Sequence, residues 1–322
     1  MSGAGPGSTI PGPALTLTSV NLPAAPVVSP LPENTRIRLD IAYDGTDFSG
    51  WAIQPGLRTV QGQIEAGLAA ILQSYPPYPS LIVAGRTDAG VHALGQVAHF
   101  DLRPDQVASL LRRGRGRTPA TLAVMVQRRL GGILVTQPEI VIKASAVAPP
   151  GFDARFSANW RRYEYRIADS VRGHNPQDRL RTTWHGFALD LEPMQVAAAS
   201  LLGLHDFATY CKPRPGATTI RTLQEFSWRR DPDGVLVATV QADAFCHSMV
   251  RALVGACVAV GEGRLAGERL ATLRINRART SEFKVMPPQG LTLLEVDYPA
   301  DDQLAARALE TRARRALDED EE

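Results

Sequence analysis

One stretch decides the fold of this chain: Ala84-Gly85-Arg86-Thr87-Asp88-Ala89-Gly90-Val91-His92-Ala93-Leu94-Gly95-Gln96. Three glycines interrupt it and apolar runs flank it, which predicts a strand, a tight loop and a second strand. Because alternate residues of an extended segment point the same way, Arg86 and Asp88 are expected to pair, and the cation keeps the carboxylate ionised. An ordinary turn with a structural Arg–Asp pair would give the same letters.

The composition limits the class of protein. The chain has 322 residues, 44% of them hydrophobic, which allows two domains or one large one. The sequence holds no apolar run long enough to span a membrane and no secretory signal, so we expect a cytoplasmic protein. The sparse cysteines lack Cys-x-x-Cys spacing, so we expect reduced thiols, with Cys246 and Cys257 buried.

Residue periodicity predicts a mixture of helices and strands. The predicted strands cover residues 37–43, 80–85, 95–101, 139–147, 161–167, 219–230, 235–243 and 291–298. The predicted helices cover a segment capped by Thr59, a broken segment over 104–131, and residues 193–203, 247–261 and 266–275. This order predicts an α+β fold with two similar halves whose sheets lie side by side.

The chain is predicted to have four parts. Residues 1–33 are rich in Gly, Ser, Pro and Ala and almost uncharged, so we expect them to be disordered. Residues 34–150 form the N-terminal half, which holds Asp88, and residues 151–300 form the C-terminal half. Residues 301–322 form a charged tail with an acidic end, expected to be a frayed helix or disordered.

An arginine-rich segment lies within the N-terminal half. Residues 103–129 contain seven arginines and one acid. Clustered arginine is typical of surfaces that bind nucleic acid, although an ordinary solvated basic face has the same composition.

Common catalytic and cofactor motifs are missing from the sequence. His92 and His99 are not accompanied by a paired Cys or His set, so no metal site is expected. No phosphate-binding loop and no dinucleotide fingerprint is present. The remaining chemistry is one carboxylate, Asp88, with arginines and aromatic residues, which suits a substrate that carries its own phosphates.

Five blocks of the sequence resemble the tRNA pseudouridine synthase A family. The block from Gly85 to Phe100 is similar to the family's catalytic motif. The other four, in the right order, are Tyr43 to Trp51 with Val60-Gln61, Phe152 to Tyr165, Asp243 to Arg251, and Gly290 to Pro299. The resemblance covers residues 35 to 300.

The resemblance implies an isomerase that converts uridine to pseudouridine at tRNA positions 38, 39 and 40, in the anticodon arm, without a cofactor. It implies Asp88 as the catalytic carboxylate, Arg86 as the residue that holds the flipped nucleotide, and Tyr163 as the tyrosine that stacks on uracil. It further implies RNA or substrate contacts for a set of polar residues, namely Arg251, Arg155, Arg161, Arg162, His92, Gln96 and His247. The target base must leave its stack, and base flipping costs a few kcal/mol.

The family further implies two ferredoxin-like (RRM-like) halves that share one continuous, mixed, mainly antiparallel sheet. Helices are expected on one face of this sheet and the active-site cleft on the other. A homodimer is expected, with tRNA as partner and no membrane association. Ala52 and Ser248 stand where the family usually has Gln and His, and the 112–140 region is unusually arginine-rich.

Two other functions fit parts of the sequence. A non-catalytic RNA-binding protein could keep the same scaffold, but Asp88, Arg86 and Tyr163 are all present. A synthase that acts at another RNA site would fit the altered 112–140 region.

Overall fold

Residues 35–43 form the first strand of the sheet. Buried and partly exposed side chains alternate along this whole strand, so one of its faces packs in the core. The computed structural model describes residues 34–112, 118–214, 216 and 218–313. The predictions for residues 1–33, for Arg113 to Arg117 and for the acidic end of the tail lie outside these residues.

The described strands and helices follow one another along most of the chain. The strands are β1 Thr35–Tyr43, β2 Ile82–Val83, β3 His92–Leu102, β4 Ile140–Val147, β5 Trp160–Ala168, β6 Thr183–Trp184, β7 Gly203–Asp206, β8 Ile220–Arg230, β9 Leu236–Ala242 and β10 Leu291–Asp297. The helices are α1 Val60–Leu72, α2 Pro104–Leu111, α3 Pro119–Leu134, α4 Leu191–Ala199, α5 Met249–Gly261, α6 Arg269–Ile275 and α7 Leu304–Arg312.

The strands form one mixed sheet in the order β4-β1-β3-β10-β5-β9-β8-β7, with β2 beside β3 and β6 beside β5. The pairing is antiparallel except where β10 runs parallel to β3 and β6 parallel to β5. Strands from 34–150 lie on one side of β10 and strands from 151–300 on the other. The α+β class and the continuous sheet are confirmed, and the boundary near residue 150 stays a prediction.

The two faces of the sheet differ in polarity. Ile37, Leu39, Ile41 and Tyr43 of β1 are buried on one face. Helix α3 packs on β4 on this same face, because the buried Ile140 of β4 pairs with Tyr43.

The opposite face carries partly exposed charged side chains, such as Arg38 and Asp40 on β1 and Arg162 on β5. Tyr43, whose hydroxyl bonds to Thr87 next to Asp88, and Tyr163, whose pKa the Asp88 charge raises, lie on the buried, helix-bearing face. The candidate site is therefore on the same face as the helices, which corrects the expectation of a cleft on the other face. The sequence could not show this, because the face on which a loop stands depends on packing.

Most elements match the predicted ones, and their ends have physical causes. Thr59 caps α1, since its hydroxyl accepts a hydrogen bond from the Gly62 N–H. The β8–β9 hairpin turns at Asp231 to Gly234, where Gly234 has a φ of 81°. Residues 304–312 of the tail form helix α7, which is anchored by its buried Leu304 and Ala308.

Several elements differ from the predictions. Strand β2 is two residues long, and β3 begins at His92, within the predicted loop. Helix α4 ends at Ala199, and residues 203–206, predicted as the end of that helix, form strand β7 beside β8. The conformation of these segments depends on pairing with another strand. Local periodicity of the sequence does not show such pairing.

The cysteines also differ from the prediction. Cys211 and Cys246 form a disulfide with 5.7 Å between their Cα atoms, whereas Cys257 is free and buried. The expectation that Cys246 is a reduced filler is therefore wrong, because folding brings together two residues 35 positions apart. Among the described residues, no helix is long and apolar enough to cross a membrane.

Candidate active site

The loop that carries Asp88 is held by the turn after β1. The Trp51 N–H donates to the Thr87 carbonyl at 3.1 Å, and the Gly90 N–H donates to the Phe48 carbonyl at 3.2 Å. A Cβ on Gly45 would lie 2.0 Å from the Val91 carbonyl oxygen, so only glycine fits this contact. The block from Tyr43 to Trp51 therefore holds the Asp88 loop in place through backbone contacts.

A buried hydrogen-bond network lies beneath the loop. The hydroxyls of Tyr43 and Thr87 are 2.8 Å apart. The Gln96 amide donates to the Tyr43 hydroxyl at 3.2 Å and to the Gly85 carbonyl at 2.9 Å. Burial raises the pKa of Tyr43 to about 12, so this hydroxyl stays protonated and can donate. The network holds both ends of the loop.

Asp88 meets side chains from the start of helix α5. The Arg251 guanidinium donates to Asp88 Oδ2 at 3.0 Å, and the Ser248 hydroxyl donates to the same oxygen at 3.3 Å. His247 Nε2 lies 3.6 Å from Oδ1. The Asp88 side chain is 27% exposed, so solvent or a substrate can reach it.

Arg251 is itself held in place. Its Nε donates to the Met286 carbonyl at 2.7 Å, and the Met286 N–H donates to the Arg251 carbonyl at 3.1 Å. The guanidinium is thereby directed at Asp88 by the segment that precedes β10.

Tyr163 lies near Asp88 on the buried face of β5. Its ring is 7% exposed and meets the Phe245 ring edge-on, with centroids 5.2 Å apart. Burial raises the pKa of its hydroxyl, and the Asp88 carboxylate raises it further, whereas the Arg161 guanidinium lowers it. Tyr163 is therefore a neutral hydroxyl beside the carboxylate.

Arg161 connects three of the sequence blocks. Its guanidinium donates to the carbonyls of Asp243, Ala84 and Arg155, at 2.7, 2.9 and 2.6 Å. The residue is 5% exposed. It therefore joins the Asp88 loop to the segment before α5 instead of lying open to RNA.

The other predicted residues are dispersed. Arg86 is exposed and forms no hydrogen bond or ion pair with any described residue, so the predicted Arg86–Asp88 pair is replaced by Arg251–Asp88. Arg155 is exposed, with its guanidinium over the Phe156 ring. Arg162 lies on the opposite sheet face and pairs with Glu295.

His92 is enclosed behind the loop. Its exposed fraction is 2%, and its Nδ1 accepts from the Gly45 N–H at 3.0 Å. Asp44 Oδ1 lies 3.1 Å from the same nitrogen. His92 therefore orients the first turn, as Gln96 orients the loop.

Sequence reasoning missed the contact between Ser248 and Asp88. The sequence showed Ser248 only as a departure from the family pattern. No local pattern indicates that its hydroxyl contacts Asp88, which is 160 positions away. The described residues contain no group of three or more His, Cys, Asp or Glu side chains that could hold a metal ion. The arrangement offers a carboxylate with one bonded and one open oxygen, beside a neutral tyrosine.

Comparison with known proteins finds relatives along most of the chain. A tRNA pseudouridine synthase A from Leifsonia xyli is 61% identical over 284 residues, which is 88% of this chain and 98% of the relative. The protein of the same name from Streptomyces griseus is 52% identical over 292 residues, or 89% and 96% of the two chains. One from Bifidobacterium longum is 44% identical over 308 residues, or 88% and 100%. A family model described as tRNA pseudouridine synthase matches residues 197–299, which include Ser248 and Arg251.

Proposed function

This chain belongs to the tRNA pseudouridine synthase A family, and from that premise we propose its reaction, substrate and catalytic residue. It is an isomerase that converts uridine in tRNA to pseudouridine. The N1–C1′ bond breaks, the uracil turns, a C5–C1′ bond forms, the C5 hydrogen leaves as a proton and N1 gains one. We propose that Asp88 is the catalytic carboxylate and that the target uridines are at tRNA positions 38, 39 and 40.

The carboxylate of Asp88 is the observation that carries this proposal. Oδ2 is occupied by Arg251 and Ser248, whereas Oδ1 makes no hydrogen bond with the described residues. An anionic oxygen at this place can attack C1′, stabilise an electron-poor ribose or accept a C2′ proton. These three routes stay open, and each uses the same atom.

The surrounding residues have separate roles in the proposal. Tyr163 stacks on the detached uracil and limits its escape, because its ring lines the buried side of the site. Arg86 has no hydrogen-bond or ion-pair partner among the described residues, and its guanidinium binds a phosphate of the flipped nucleotide. His247 and Arg155 are exposed and contact the RNA, whereas His92, Gln96 and Arg161 hold the protein framework.

We further propose that the chain acts as a homodimer in the cytoplasm on the anticodon arm. A single arm is small beside a whole tRNA, so a second subunit could bind the rest of the substrate. The exposed arginines of the 103–129 segment would follow the RNA backbone.

The reaction is tested with tRNA that carries tritium at uracil C5. Wild-type protein is expected to release the label, and Asp88→Asn is expected to release none while binding tRNA with unchanged affinity. Asp302→Asn, at an exposed acid on the turn before α7, is the matched control and should retain wild-type release. Label release by Asp88→Asn would disprove the catalytic assignment.

The position is tested with transcripts in which the uridines at positions 38, 39 and 40 are replaced by cytidine. Loss of release supports the proposed site. Continued release identifies another target in tRNA. A wild-type protein that binds the transcripts but modifies no uridine would favour the non-catalytic RNA-binding alternative.

A further inference from the structure

Ser248 has an unfavourable backbone conformation next to Asp88. Its φ is 64° and its ψ is 8°, in the left-handed region that serine seldom adopts. Among the described non-glycine residues, Arg277 is the only other one with a positive φ. Strain of this kind persists where the surrounding structure imposes it, and it concentrates at functional sites.

The hydroxyl of Ser248 is not used for helix capping. Ser248 occupies the N-cap of α5, where a serine side chain ordinarily accepts a backbone N–H, but it makes no such bond. The hydroxyl donates to Asp88 Oδ2 instead, at 3.3 Å. The left-handed backbone therefore turns the side chain away from its helix and towards the carboxylate.

The neighbouring residues maintain this conformation. The Lys212 N–H donates to the His247 carbonyl at 2.9 Å, and the Ala252 N–H donates to the Ser248 carbonyl at 3.0 Å. Cys246, which forms a disulfide with Cys211, lies two residues before Ser248. The segment is thus held on both sides of the strained residue.

Two donors on one carboxylate oxygen distinguish the two oxygens of Asp88. Arg251 and Ser248 both donate to Oδ2, from different side chains, and together they restrict rotation of the carboxylate. Oδ1 is turned towards the exposed His247, which is 3.6 Å away and beyond ordinary hydrogen-bond distance. Oδ1 keeps its lone pairs for a reacting atom.

We propose that Ser248 is a positioning residue that fixes the Asp88 carboxylate so that Oδ1 is its reactive oxygen. This inference rests on the proposed catalytic role of Asp88. It assigns the strained backbone to the orientation of the carboxylate, and it gives the serine a role that a helix cap would not have. Removing the hydroxyl leaves Arg251 as the only hydrogen-bond donor to the carboxylate among the described residues, so the carboxylate rotates more freely and fewer bound substrates meet a correctly placed oxygen.

The test compares Ser248→Ala with Ser248→Gly. Alanine removes the hydroxyl and keeps the strain, whereas glycine removes the hydroxyl and relieves the strain. Both variants are expected to lower kcat for tritium release about 10-fold with KM unchanged, because only the chemical step depends on carboxylate orientation. Arg277→Gly relieves the other positive φ and also removes the Arg277–Asp206 ion pair, and as a control it should retain wild-type kcat.

Each of the following results would overturn the positioning role. Wild-type kcat in Ser248→Gly would show that the residue serves only the backbone. A raised KM with unchanged kcat would show that the hydroxyl contacts RNA. Release by Asp88→Asn, measured in parallel, would remove the proposed catalytic residue and with it the need to position it. Wild-type kcat in both serine variants with an inactive Asp88→Asn would disprove this inference and leave the proposed function intact.

Discussion

The polar residues of the family blocks divide into a buried framework and an exposed rim. The framework residues are His92, Gln96, His99 and Arg161, all at most 5% exposed. The rim residues are Arg86, Arg155 and His247, which are exposed around Asp88 or on the adjoining loops. Both groups come from the same sequence blocks, so membership of a motif does not by itself indicate contact with substrate.

The difference follows from the cost of burying polar groups. A buried donor must have a partner, and framework residues such as Gln96 and Arg161 find theirs in backbone carbonyls of distant segments. Arg86 has no partner among the described residues and lies in water, where an unpaired guanidinium costs little. Framework variants should therefore lose stability, and rim variants should lose RNA binding.

Arg161 should give the largest effect on stability. Arg161→Ala removes the guanidinium donor from the buried carbonyls of Asp243 and Ala84 and from the partly buried carbonyl of Arg155, so the free energy of unfolding should fall by about 3 kcal/mol. Urea denaturation measures the change. Arg162→Ala is the matched control: the next residue points to the opposite face, has a partly exposed ion pair with Glu295, and should change stability by less than about 1 kcal/mol. Equal losses would show that burial of the guanidinium is not what stabilises the fold.

His99 should make stability depend on acid. Its Nδ1 accepts from the Ala154 N–H, and burial lowers its pKa to about 4 from 6.5. The folded chain therefore keeps His99 neutral between these values while the unfolded chain binds a proton, so stability is lost as pH falls from 6.5 towards 4.

The measurement compares the wild type with His99→Asn, which keeps an acceptor but does not titrate. Between pH 7 and pH 5 the wild type should lose about 2 kcal/mol more than the variant, because other acidic groups contribute equally to both proteins. Parallel stability curves for the two proteins would assign the acid sensitivity to other groups.

Arg86 should give the smallest effect on stability. Arg86→Ala should leave the free energy of unfolding within about 0.5 kcal/mol, because the side chain is exposed and unpaired among the described residues. Its tRNA affinity should fall, and the slope of log affinity against log salt should decrease by about 1, as for loss of one phosphate contact. Arg229→Ala, at an arginine 54% exposed with an ion pair to Glu164, is the control. An unchanged salt slope in Arg86→Ala would exclude the phosphate contact.

Local sequence predicted the elements well where periodicity and capping suffice. Thr59 starts α1 as predicted, and the β8–β9 hairpin turns at Asp231 to Gly234. Strand β7 was missed because its pairing with β8 supplies the hydrogen bonds that hold it extended. The disulfide partner of Cys246 was missed for the same kind of reason, since residue spacing does not report distance in the folded chain.

The site was predicted in composition but not in arrangement. The sequence pointed to Asp88, Tyr163 and Arg251, and the fold brings Arg251 onto Asp88. It also predicted an Arg86 partner for Asp88 and RNA contacts for Arg161 and Arg162, and folding distributes these side chains differently. Because side chains alternate along β5, Arg161 lies on the buried face of the sheet and Arg162 on the opposite, charged face.

The sequence by itself determined the family, the α+β class, most strands and helices, and the loop that displays Asp88. These features depend on local patterns and on the order of motifs. Only the tertiary structure decided which guanidinium reaches Asp88, that Ser248 occupies the same oxygen, and that Arg161 joins three blocks from within. Such contacts join residues far apart in the chain, and their geometry is set by strand pairing and helix packing. The opening stretch therefore supplies the carboxylate, and helix α5 supplies the groups that orient it.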